Sequence, residues 1–149
     1  RSCTARTAFS VLDGHAKAFG DTSFFYAALD QKDTAHALVP AISADVLERR
    51  LLMIATWDVV VELVALLRYR LSFRASEIFL KDVMPGLSVI HPNDAEREAA
   101  IAYYLKHSIH RRLSLCDALS YVIVSTRLDW APCLSFDDDF AAMGLTVVR

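Results

Sequence analysis

From Ala18 onward, short apolar runs alternate with longer stretches in which apolar residues recur at helical spacing. This alternation predicts an α/β fold in which helices cover a mostly parallel sheet. A short strand around Lys17 to Gly20 feeds a helix from Thr22 to about Leu29. A helical region from Asp33 to Arg50 is broken near Pro40, and Ser43 is placed to cap its second half. Leu51 to Ala55 predicts a buried strand, and Asp58 to Arg70 carries a helical repeat. A further helix starts at Ser72 and ends at Pro85 and Gly86. Leu87 to Ile90 predicts the third strand, and Asn93 caps an amphipathic helix reaching about His107. Ser114 opens another helix to about Leu128. Ala131 to Phe136 then predicts a strand before the acidic turn Asp137 to Asp139, and Thr146 to Val148 closes the sheet. Residues 1–17 show no clear period and are expected to form an extension ahead of one domain over 18–149.

Four carboxylates interrupt this pattern. Asp21, Glu62, Asp117 and Asp137 each lie against or inside an apolar segment, where an unpaired charge carries a large desolvation cost. Structural accounts exist for three of them. Asp21, between a strand and a helix, serves as an N-cap; Asp117 forms an S-x-x-D capping box with Ser114; Asp137 starts a solvated turn. Glu62 lies among Val59 to Val61 and Leu63 to Leu67, and its helical neighbours Asp58, Val59, Ala65 and Leu66 include no cation. In an open α/β sheet the ligand crevice lies outside the carboxyl ends of the strands, and Asp21, Asp137 and the start of the Asp117 helix all fall there. Oxygen donors without His or Cys select a hard cation, so the set predicts Mg2+ or Mn2+ rather than Zn2+.

Composition narrows the context without naming a function. The 149 residues suit one domain, and 54% hydrophobic with 23% charged content excludes a disordered chain. A formal net charge of -2 gives no global attraction to nucleic acid, so a polyanion would need a local basic patch. Such patches are offered by Lys106, His107, His110, Arg111 and Arg112, and by Arg68, Arg70 and Arg74, although helix ends also gather cations for the dipole. Cys3, Cys116 and Cys133 are odd in number and lack metal-type spacing, which fits a reducing, cytoplasmic setting. Asp58 and Glu62 interrupt the apolar run from Leu51 to Leu67 and argue against a membrane span. No signal peptide is legible.

The motifs together resemble the PIN-domain ribonucleases, of the kind found as VapC toxins in bacterial toxin-antitoxin pairs. Asp21-Thr-Ser-Phe-Phe resembles the opening motif, and Thr56 with Val61-Glu62-Leu63 and Leu66-Leu67-Arg68 resembles the central glutamate helix. Leu113-Ser-Leu-Cys-Asp117-Ala-Leu-Ser resembles the third-acid motif, and Leu134-Ser-Phe-Asp137-Asp-Asp-Phe140 with Gly144-Leu145 the fourth. The resemblance implies a PIN-like three-layer α/β/α sandwich and endoribonuclease activity. It also implies an RNA substrate, a small antitoxin partner and a homodimer. Its metal-site acids would be Asp21, Glu62, Asp117 and Asp137, with Asp139 as an extra donor and Ser23 in support; Arg68, Arg111 and Arg112 would contact RNA. A catalytically idle PIN-like binding module and a structure-specific DNA nuclease are the competing expectations.

Overall fold

The computed structural model describes residues 10–149. Residues 1–9, with Cys3 and most of the expected extension, lie outside the described residues. The sheet has five strands in the order β3-β2-β1-β4-β5. They are β1 (Lys17–Gly20), β2 (Leu52–Thr56), β3 (Ser88–Ile90), β4 (Cys133–Leu134) and β5 (Val147–Val148), and every pairing is parallel. Parallel neighbours require crossovers, and the helices that make them flank the sheet in three layers. These are α1 (Thr22–Leu29), α2 (Val39–Glu48), α3 (Trp57–Arg70), α4 (Phe73–Ile78), α5 (Asp94–His107), α6 (Leu115–Thr126) and α7 (Asp138–Ala142). The expected α/β/α sandwich is what forms.

The chain runs outward from β1 through β2 to β3, then returns to build β4 and β5 on the other side of β1. The order therefore reverses at β1, the kind of point where a crevice opens outside the carboxyl ends of neighbouring strands. Register does the rest. Gly20 pairs with Leu134, so the next residues along each strand, Asp21 and Ser135, emerge side by side. Gly20 itself has no room for a side chain: a β-carbon there would lie 2.6 Å from Phe25 Cε2. The core beneath this edge is built from Phe19, Leu63, Leu67, Phe79, Ile123, Leu134 and Phe140, all buried.

Several expected boundaries move, each for a physical reason. Pro40 does not break a helix. It occupies the first turn of α2, where its missing N–H costs no hydrogen bond, and a single 3-10 turn (His36–Leu38) precedes it. Ser43 consequently lies inside α2 and caps nothing. The helix opened by Ser72 does stop at Gly86, but only as α4 followed by a π turn (Phe79–Val83) and a 3-10 turn (Met84–Gly86). The apolar run Ala131 to Phe136 pairs only at Cys133 and Leu134, because β5 offers just two residues and Ser135 turns toward Asp21. The acidic stretch expected as a turn begins α7, with Asp137 as its N-cap and Asp138 and Asp139 in its first turn, where carboxylates complement the dipole. No helix among the described residues is long and apolar enough to cross a membrane.

Candidate active site

Asp21, Glu62, Asp117 and Asp137, drawn from four separate elements, line one open cavity of about 650 Å³. Asp21, Asp117 and Asp137 are delivered by helix starts, and Glu62 by the body of α3. Asp21 ends β1 and caps α1, and only 3% of its surface is exposed. Its Oδ2 accepts from Ser23 Oγ at 2.7 Å, Ser135 Oγ at 3.0 Å and the Ser23 amide at 3.4 Å. Ser135 Oγ also accepts from the Asp137 amide at 3.1 Å, and Ser23 Oγ accepts from the Phe136 amide at 2.9 Å. Two serine hydroxyls thus tie the first acid to the loop that presents the fourth. Ser23, expected in support near the first acid, lies within hydrogen-bond reach of its carboxylate.

Asp117 enters from the first turn of α6. Its carboxylate accepts from the Ser114 amide at 3.1 Å while Ser114 Oγ accepts from the Asp117 amide at 3.0 Å, so the capping box is real. Capping and lining the cavity do not compete, because the box fixes the direction in which the carboxylate points. Asp137 is likewise both the N-cap of α7 and part of the cavity wall. Glu62 differs from expectation. It is half-buried rather than enclosed, since Val59, Val60, Leu63 and Leu67 form the core face of α3 while Glu62, Leu66 and Arg70 face the cavity. Thr56 caps this helix through the Val59 amide at 3.1 Å, which sets the helix start one turn before Glu62.

The charges of this group act on one another. Burial pushes the Asp21 carboxyl up to about 7, opposed by its serine hydrogen bonds and reinforced by Asp117. Burial also lifts Asp117 to about 6, with Asp137 and Glu62 adding repulsion against the Ser114 bonds. Two carboxylates made reluctant to ionise in a shared cavity signal a place that lacks positive charge. Cys116, on α6 beside Glu62, is pushed up by burial and by the same acids, and buried Cys133 is pushed up to about 12. Neither thiol is poised to act as a nucleophile or a ligand.

The donor set fits a hard divalent cation: carboxylates and hydroxyls, with no imidazole or thiolate of the described residues on the same cavity wall. Thr22 Oγ1 adds a buried hydroxyl on the cavity wall with no hydrogen-bond partner. The acids surround the cavity rather than closing on a point, and among the described residues no three His, Cys, Asp or Glu side chains stand gathered to hold an ion.

Other expected residues fall outside the cavity. Asp139 does not line it; its amide donates to Asp137 at 2.9 Å, and burial with the Asp137 charge raises its own carboxyl. Arg68 points to solvent on another face of α3. Arg111 and Arg112 line a separate trough that meets the cavity at Ser114, and Arg111 donates to the Ala142 carbonyl at 2.8 Å. Conversely, Ser135, Tyr26, Asp33 and Arg149 belong to the site neighbourhood and were not singled out by the sequence as site residues, whereas Arg70, one of the cations of the expected basic patch after the Glu62 helix, does line the cavity. Ser135 stands two residues before Asp137 in the fourth-acid motif, the one signal that marks it.

No curated protein sequence matches this chain. Among solved structures it is similar to Mycobacterium tuberculosis VapC20, described as a sarcin-ricin-loop-cleaving toxin, at 25% identity and a TM-score of 0.78, covering 89% of this chain and 99% of that one. It is similar in fold to FitAcB from Neisseria gonorrhoeae, at 14% identity and TM-score 0.63 over 89% of this chain and 96% of that one. VapBC2 from Rickettsia felis, bound to a DNA fragment from their promoter, matches at 10% identity and TM-score 0.60 over 88% and 96%. A family model described as PIN domain matches residues 18–145, a span that holds Asp21, Glu62, Asp117 and Asp137. The chain therefore belongs to the PIN-domain family.

Proposed function

We propose that this chain is a divalent-metal-dependent endoribonuclease acting through Asp21, Glu62, Asp117 and Asp137, and that it serves as the toxin of a toxin-antitoxin pair. The observation that carries the reading is the convergence of these acids, remote in sequence, on one cavity in which burial and nearby carboxylates disfavour the charges of Asp21 and Asp117. Membership of the PIN-domain family and the likeness to VapC20, described as a sarcin-ricin-loop-cleaving toxin, support the same chemistry. A small antitoxin protein that masks the cavity is the partner this role requires, with a cytoplasmic setting and a homodimer as further expectations.

Mg2+ or Mn2+, held by the four acids, would supply a bound water of lowered pKa and neutralise charge on a phosphodiester. The protein's own contribution is placement. Ser23 and Ser135 fix one oxygen of Asp21, and the Ser114 box fixes Asp117, so the carboxylates need little reordering. Glu62 supplies an acid on the α3 wall opposite no cation of its own helix turn, which leaves its charge available to the cavity. Cys116 and Cys133 are not set up as covalent nucleophiles, since burial raises both thiols far above neutrality.

The test is cleavage of matched RNA and DNA strands with Mg2+, with Mn2+ and with EDTA, by the wild type and by Asp117→Asn. The proposal expects RNA cut only with metal, DNA spared, and the variant inactive. Cleavage of DNA in preference to RNA would reassign the substrate. RNA binding without cleavage in either metal would favour the idle binding module, in which the acids serve only as caps.

A further inference from the structure

We propose that Arg70, laid over the Tyr26 ring at the end of the cavity away from Glu62, binds a backbone phosphate of the RNA a few nucleotides from the cut. The inference rests on the nuclease reading above and adds a subsite to it. Glu62, Leu66 and Arg70 recur every fourth residue along α3, so they share one face, and all three line the cavity. Eight residues of helix separate the acid from the cation by about 12 Å along the axis. A strand whose reacting phosphate lay among the carboxylates would pass Arg70 about two to four nucleotides away, according to how far it is stacked or extended.

The electrostatics call for a cation there. The cavity is lined by several carboxylates and two arginines, and of these Arg149 is engaged by Asp138. Arg70 makes no ion pair among the described residues. Asp33, also on the cavity wall, spends one carboxylate oxygen on the Ala35 amide at 2.8 Å. The free guanidinium is nonetheless held in place. Its central carbon lies 5.7 Å from the Tyr26 ring centroid, within reach of a cation-π contact, and the Tyr26 hydroxyl donates to Asp30 Oδ2 at 2.9 Å. The contact engages the cation through the ring and uses none of its N–H donors in a hydrogen bond among the described residues, so the guanidinium fork remains for phosphate oxygens. Tyr26 is a positioning residue in this arrangement.

The experiment follows fluorescence anisotropy of a short labelled single-stranded RNA of mixed sequence with the full chain in Ca2+, and cleavage of the same RNA in Mg2+. Arg70→Gln is expected to weaken binding by about tenfold at low salt and to lower the salt slope by about one, with KM raised and kcat little changed. Arg70→Lys should recover part of the affinity through charge alone. Tyr26→Leu should weaken binding in the wild type but add nothing to Arg70→Gln. Arg50→Gln, which removes the same charge before β2 at the opposite edge of the sheet, is the matched control. An Arg70→Gln variant with the affinity and salt slope of the Arg50→Gln variant would overturn the subsite. A wild type that binds RNA but never cuts it overturns the nuclease reading instead, and the affinity arm still decides on Arg70.

Discussion

Asp21 is the acid with the most to gain from losing its charge, and Asp21→Asn turns that into a measurable quantity. In the folded chain its carboxyl sits near 7 against an ordinary value of 3.8, mainly because it is buried. That rise corresponds to about 4 kcal/mol between the two protonation states. The folded value is raised, so this stability term is fully present below about pH 4 and is lost as pH climbs toward 7. Asparagine does not titrate, keeps an oxygen for the cap and resembles the protonated acid in shape. In EDTA at about pH 8 the variant should therefore be the more stable protein by about 2–4 kcal/mol, the lower figure allowing for water entering the open cavity. At about pH 4 the two should agree to within about 1 kcal/mol. Urea unfolding at both pH values measures the difference. A variant whose stability relative to wild type is the same at both pH values, with no gain at about pH 8, would refute the argument and return Asp21 to a purely structural role.

The remaining predictions separate chemistry from scaffolding. Glu62→Gln should lower Mg2+-dependent RNA cleavage by at least about a hundredfold while changing unfolding free energy by no more than about 0.5 kcal/mol, since the side chain is half-buried and faces the cavity. Ser135→Ala removes a donor to Asp21 and an acceptor for the Asp137 amide, so it should cost about 1–2 kcal/mol in urea and lift the Asp21 carboxyl further. The sign is unchanged: stability is still lost with rising pH, but the fall extends to higher pH than in the wild type. Gly20→Ala forces a methyl against the buried Phe25 ring and should cost about 1–3 kcal/mol, read from the urea midpoint.

Much of the architecture is legible because local chemistry and global pattern agree. Asn93 and Glu96 form a reciprocal capping box, and α5 runs from Asp94 to His107 as its period and cap predict. Agreement fails where a residue has two local meanings. Pro40 reads equally as a breaker or as a first-turn residue, and only the packing of α2 decides. Asp137 to Asp139 read as a turn although the same acids favour a helix start. The site divides in the same way. The four acids are legible because a carboxylate in an apolar run is conspicuous. Ser135 is less so, since its bond to Asp21 exists only through the β1–β4 register, and Arg70 depends on which face of α3 meets the cavity. Arg68, two residues earlier, has the same chemistry and a different direction.

Everything in this account turns on whether the four carboxylates act together as one cation site. Electron paramagnetic resonance of Mn2+ at about pH 8, above both raised carboxyl values, counts the bound ions in the wild type and in Asp21→Asn, Glu62→Gln, Asp117→Asn and Asp137→Asn. The account predicts saturable binding in the wild type, weakened by each substitution and abolished when all are combined. Undiminished Mn2+ binding by the combined variant would contradict it.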